Sequence, residues 1–160
     1  MTRPRTLILV KSVHHLNTEK VARAIAEVFA ADIMSPDDAA HDAATNYDLV
    51  GFGSGIYFGR FHSTMRHWVN HAESPTAAKP AFIFSTAGLP FLGWLWHWSF
   101  RKQLSRHGYQ VIGEFTCRGF DTVGPLRFVW GLNRGHPNKR DLDRAVDFAR
   151  NLLGDLEPED

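Results

Sequence analysis

Short apolar runs alternate along this chain with longer segments whose apolar residues recur at helical spacing. Leu7 to Val10 is continuously apolar and too short for an amphipathic helix, which predicts a parallel strand buried on both faces. Behind it Val21, Ile25, Val28 and Phe29 form one face of a helix, with Lys20, Arg23 and Glu27 turned to water. The pattern then repeats. A weak strand is expected around Ile33, followed by a loop or short helix near Pro36, and a third strand at Leu49, Val50 and Phe52. Met65, Trp68, Val69 and Ala72 predict a second helix, and Ala81 to Phe84 a fourth strand. The stretch from Phe91 to Gly108 reads as a helix stopped by the glycine, its broad apolar side comprising Leu92, Leu95, Trp96, Phe100 and Leu104. Trp94 and Trp98 fall nearly opposite, where the loop after the fifth strand could fold over them or a partner or membrane surface could meet them. A fifth strand carries Val111, Ile112 and Phe115. About 20 residues without helical pattern follow, with a possible extra strand at Leu126 to Trp130. The last helix is capped by Asn138, with Asp141 three residues on, and ends at Gly154.

Strands alternating with helices imply an α/β fold, a doubly wound five-stranded parallel sheet with helices on both faces. Residues 1–154 would form a single domain and residues 155–160 a frayed tail. The composition changes this picture little. In 160 residues, 18 Lys and Arg face 17 Asp and Glu in an interspersed pattern that carries no nucleic-acid footprint. One cysteine excludes an internal disulfide, and no apolar run is long enough for a signal peptide or membrane span, so a cytoplasmic location is expected.

The candidate chemistry sits in the turns after the strands. Ser12, His14, His15, Asn17 and Thr18 lie where the first helix begins, and its first backbone N–H groups have no partner inside the helix. A phosphate fits there, although Asn17 or Thr18 acting as an ordinary N-cap would equally account for the residues. Gly53, Gly55 and Gly59 punctuate what reads as a loop carrying Tyr57 and Phe58, suited to the edge and face of a flat heterocycle. Ser85, Thr86, Ala87 and Gly88 form a third small polar turn. Cys117 beside Arg118 is either a reactive thiol or a small packing residue. His67 and His71 share a helix face, but no H-E-x-x-H pattern completes a zinc site, and no metal is expected.

These three turns resemble those of the flavodoxin-like family, whose first loop wraps the phosphate of flavin mononucleotide (FMN). The loop here departs from the family pattern. Ser12 and Thr18 enclose one extra residue, and His15 or Leu16 stands where a glycine is usual. A pI near 8.0 also differs from the acidic habit of flavodoxin carriers. The second turn also resembles that of the flavodoxin-like protoporphyrinogen oxidases. The Cys-Arg-Gly-Phe-Asp-Thr sequence at 117–122 is similar to that of a flavodoxin subgroup, and because this loop leaves the sheet at the same carboxyl end as the turns, Phe120, Asp121 and Thr122 are expected to border the same crevice. The resemblance implies a flavodoxin-like strand order of 2-1-3-4-5, FMN as cofactor, electron transfer as function and a redox partner protein, either reductase or acceptor. The five residues from Ser12 to Thr18 named above would hold the phosphate. Ser54, Gly55, Ile56, Tyr57 and Phe58 would line the ring, and Ser85, Thr86, Ala87 and Gly88 would flank its other side. Two alternatives are a flavin-dependent oxidoreductase of the quinone or protoporphyrinogen type, and a flavin-free partner-binding domain. In such sheets, of which flavodoxins are themselves an example, ligands bind at the carboxyl ends of the strands where the strand order reverses.

Overall fold

The computed structural model describes residues 3–13, 16–119 and 134–156. Its strands are β1 (Thr6–Lys11), β2 (Asp32–Met34), β3 (Leu49–Tyr57), β4 (Arg60–Phe61), β5 (Lys79–Ala87) and β6 (Tyr109–Arg118). The helices are α1 (Asn17–Phe29), α2 (Ser63–His71), α3 (Gly93–Arg106) and α4 (Lys139–Leu156), with a 3₁₀ turn over Pro90–Leu92. The parallel strands lie in the order β2-β1-β3-β5-β6, and the short β4 pairs antiparallel with the end of β3. Without β4 this is the expected 2-1-3-4-5 sheet.

Strand alternation divides the core between the two faces. Ile8, Val10, Phe82, Phe84, Phe115 and Cys117 pack against α1 and α4. Leu7, Leu9, Val50, Phe52 and Ile83 face α2 and α3. Each run that reads as continuously apolar therefore buries both sets of side chains, as a central parallel strand must. On the α2 side the Trp68 indole N–H donates to the Ala39 carbonyl at 3.1 Å, anchoring the connection from β2 to β3. That connection consists of turns rather than the short helix allowed for near Pro36.

Four boundaries differ from the sequence reading. The strand β3 runs on through Gly53 and Gly55 to Tyr57, where a loop was expected. Gly51 and Gly53 are strand residues because the Phe82 and Phe84 rings lie across them. A Cβ on either glycine would stand 2.3 or 2.1 Å from a ring Cζ. β5 and β6 are also longer, taking in Ser85 to Ala87 and Thr116 to Arg118. At the other end of the chain α4 passes through Gly154 to Leu156. A glycine stops a helix when it turns to positive φ, as Gly108 does after α3 at +85°, and Gly154 is not among the positive-φ glycines. The head of α4 is as expected. Asn138 Oδ1 accepts from the Asp141 N–H at 3.1 Å and Asp141 Oδ2 from the Asn138 N–H at 3.0 Å, a reciprocal capping box.

Candidate functional site

Loops leaving the carboxyl ends of β1, β3, β5 and β6 meet at one end of the sheet. The Thr18 and Thr86 hydroxyls are 2.8 Å apart in a buried bond, which ties the first turn of α1 to the end of β5. Gly119 donates its N–H to the Ala87 carbonyl and lies directly over Thr86 and Asn17, where a Cβ would stand 3.0 Å from Thr86 Cβ. From the other side the Val13 N–H donates to the Tyr57 hydroxyl at 3.3 Å, so the ring closes over the loop after β1.

At the head of α1, Leu16 occupies the N-cap position in the left-handed region, at φ 53°, and its side chain makes no capping hydrogen bond. Asn17 and Thr18, read from sequence as possible N-caps, are instead buried first-turn residues. Backbone N–H groups at the start of a helix are a donor set that suits a phosphate. Ser12 follows β1 but lines a recess between Glu19, Arg23 and Ser35 on the β2 side. His14 and His15 lie outside the described residues, as do Phe120, Asp121, Thr122 and the extra strand suggested at 126–130.

The segment read as an aromatic loop is a hairpin. Tyr57 pairs with Arg60, and both turn residues, Phe58 and Gly59, have positive φ. Such two-residue turns favour Asn-Gly or Gly-Gly, so a phenylalanine there is costly. Phe58 is also 98% exposed and packs on nothing that would offset the cost. Tyr57 is half-buried with its ring edge-on to His62. The His62 Nδ1 caps α2 by accepting from the Thr64 N–H, and burial pushes the imidazole pKa down, with the Lys11 charge acting the same way.

The serines proposed to line the site serve as its frame. Ser54 is buried, donates to the Gly55 carbonyl and accepts from the His62 N–H. Ser85 and Thr86 are strand residues with buried side chains rather than parts of an open turn. Ala87 is buried as well, and the turn opens only at Gly88 and Leu89. Gly55 and Ile56 lie within β3, where the Tyr57 hydroxyl sits 2.8 Å from a Cβ built on Gly55.

Ser85 belongs to a polar chain that sequence reading missed. Its Oγ lies 2.7 Å from His97 Nε2 and 3.1 Å from Thr116 Oγ1. His97 Nδ1 lies 3.1 Å from Glu114 Oε2, and the Arg101 Nε–H donates to the other carboxylate oxygen at 2.5 Å. Burial works to raise the Glu114 pKa, but the bonds from His97 and Arg101 outweigh it and hold the group down at about 2. His97 is 1% exposed and Ser85 has no exposed surface, so this Ser-His-Glu arrangement is sealed from any acyl substrate and acts as a clamp between α3, β5 and β6. Its sequence signal was present. Glu114 and Thr116 alternate onto one face of β6, Ser85 is in register with Thr116, and His97 lies on a stripe with Gly93, Phe100 and Leu104. That stripe, rather than the Leu92, Leu95 and Trp96 side, is the buried face of α3. Gly93 makes it possible, since a Cβ there would come within 2.4 Å of Thr116 Oγ1.

Cys117 proves to be a packing residue. It is buried against α4, and burial, reinforced by Asp141, pushes its thiol up to about 12 against the opposing charge of Arg144. The thiol is expected to stay silent toward a water-soluble disulfide reagent at pH 8 and to react fully once the protein is unfolded in urea. Rapid reaction of the native protein would show that the site opens to solvent. The His67 and His71 rings lie 4.1 Å apart on the surface, tilted by 32°, and His71 Nδ1 meets the His67 carbonyl. Among the described residues there is no group of three ligands able to hold a metal, and no helix is long and apolar enough to cross a membrane.

The Flavodoxin domain family profile matches residues 7–90. An uncharacterised protein of Methanocaldococcus jannaschii is 45% identical over 149 residues, covering 93% of this chain and 98% of its own. Among solved structures, oxidised flavodoxin 2 of Bacillus cereus superposes with a TM-score of 0.70 at 15% identity, covering 96% of this chain and 99% of that one. A flavodoxin from the domain Archaea gives 0.66 at 13%, covering 95% and 98%. At such identities these two likenesses speak for the fold, and the profile match carries the family. With the sheet order and the converging loops already in place, the chain belongs to the flavodoxin domain family.

Proposed function

We propose that this protein binds FMN in the crevice at the carboxyl ends of β1, β3 and β5 and passes electrons through it to or from a redox partner protein. The observation that carries this reading is the head of α1. The Thr18–Thr86 bond holds the first turn of that helix against the end of the sheet, and its N-cap Leu16 has no side-chain group to compete with a phosphate for the helix N-terminus. Ser12, His14 and His15 complete the loop from which further phosphate donors would come. Tyr57 and Phe58 supply aromatic surface at the other end of the crevice, and an exposed phenylalanine in a strained turn makes sense where a flat ring covers it. Ser54, Ser85 and Thr86 act behind the ring by fixing the strand ends, while Gly88 begins the turn that closes its far side. The flavin, when bound, supplies the electron-accepting and electron-donating centre, and the protein supplies orientation and a dry, apolar wall.

The test is a visible-absorbance and fluorescence titration of colourless protein with FMN and, separately, with riboflavin. FMN is expected to be retained through gel filtration, and riboflavin, lacking the phosphate, to bind at least about tenfold more weakly. Equal affinity for the two would remove the phosphate site, and failure to bind either would remove the cofactor.

A further inference from the structure

We propose that the outer face of α3 is a docking surface for an anionic lipid membrane. Phe91, Trp94, Leu95 and Trp98 are spaced i, i+3, i+4 and i+7 along the 3₁₀ turn and α3, and all four are exposed, Trp94 by 67% and Trp98 by 52%. They occupy the stripe opposite the buried Gly93, His97, Phe100 and Leu104. The helix therefore has two apolar sides, only one of which is buried among the described residues. Sequence reading allowed that the loop after β6 covers the indoles. The residues of that loop from 120 to 133 lie outside the described set, and the indoles themselves stand exposed.

Charge identifies the occupant. Lys102 continues the stripe by one turn and holds its ammonium 4.4 Å from the centre of the Trp98 ring, and Arg106 follows a turn later. Neither has an ion-pair partner among the described residues. No Asp or Glu occurs between Ser74 and Gly113, so the near-neutral whole hides a helix whose solvent face is aromatic at one end and cationic at the other. Indoles seat at the headgroup level of a bilayer, and long basic side chains reach from the same depth to lipid phosphates. The side chains project as a ridge, which a deformable lipid surface accommodates without the complementary groove a protein partner would have to supply. This proposal does not rest on the flavin reading.

The experiment is flotation of the full-length protein, with and without added FMN, on vesicles of phosphatidylglycerol and phosphatidylcholine in equal parts and on vesicles of phosphatidylcholine alone. Binding to the anionic vesicles is expected, with a blue shift of tryptophan emission and loss of binding in 0.5 M salt as an experimental condition of about that strength. The Lys102→Ser/Arg106→Ser variant should partition about 25-fold less, near fivefold for each cation. The Trp94→Ser/Trp98→Ser variant should lose at least about tenfold. Both should keep the wild-type circular dichroism and melting temperature, since the altered side chains are exposed. Absence of binding by the wild-type protein, or binding by either variant as strong as wild type, would overturn the proposal. So would a lipid-free dimer, seen by sedimentation equilibrium and dissolved by the tryptophan variant, which would assign the ridge to a second copy of the chain. Failure to take up FMN would leave the vesicle result unaffected.

Discussion

Replacing His97 by alanine is expected to lower the unfolding free energy by about 4 kcal/mol in urea denaturation at pH 7. The imidazole is buried between Ser85 Oγ and Glu114, so its loss opens a cavity and also strips the carboxylate of one of its two partners. Arg101 remains, but its side chain is partly exposed and holds only one of the two oxygens. A loss under about 1 kcal/mol would mean that α3 is held mainly by Phe100 and Leu104 and that the clamp is incidental. The same chain sets an acid limb. Glu114 titrates at about 2 in the folded protein against 4.5 for the free group, so the folded state favours its ionised form. That contribution is fully present above about pH 4.5 and is lost as the pH falls toward 2. The stability gap between wild type and Glu114→Gln is therefore at its full width at pH 5 and closes on acidification. A gap constant from pH 5 to 2.5 would show that the carboxylate gains nothing from its ionised form.

The second large effect is expected at Gly53. Alanine there should cost about 3 kcal/mol, or near 10 °C in melting temperature, because its methyl would overlap the Phe84 ring. That ring has nowhere to go, being fully buried and stacked 6.0 Å from Phe82. Phe84→Leu should by itself cost about 1 kcal/mol, but in the Gly53→Ala background it should restore stability by relieving the clash, a coupling of at least about 1 kcal/mol. Strict additivity in the double-mutant cycle would show that the strand shifts as a whole and that the ring is not what demands glycine. Because β3 runs from Gly53 directly to the Tyr57 hairpin, the same strain should also weaken FMN retention if the crevice binds as proposed.

What the sequence by itself determined is the architecture. Leu7 to Val10 and Ala81 to Phe84 are apolar at every position because both faces of a central parallel strand are buried, and that pattern is local. So are the amphipathic stripes of α1 and α2, the Gly108 stop and the Asn138–Asp141 capping box, each of which depends on residues within a few positions of one another. The convergence of the strand-end turns followed from topology once the strand order was assumed. The chemistry of individual side chains did not follow. Gly53 and Gly55 looked like loop residues because a strand rarely favours glycine; the Phe84 ring on the neighbouring strand explains Gly53, and the Tyr57 side chain lies against Gly55. Ser85 and Thr86 looked like a polar turn because nothing nearby in the chain could satisfy a buried hydroxyl. Their partners lie 12 and 68 residues away, at His97 and Thr18. Counting apolar side chains found Phe100 and Leu104 but turned the buried face of α3 too far toward Leu92, Leu95 and Trp96, since a histidine and a glycine weigh little on such a count. The tertiary structure shifted that face, because Glu114 and Thr116 on β6 make it favourable to bury His97, and Gly93 lets the helix approach closely enough for the contact to form. Long-range pairing decides which polar residues go inside, and therefore which aromatic residues are left outside for something else to cover.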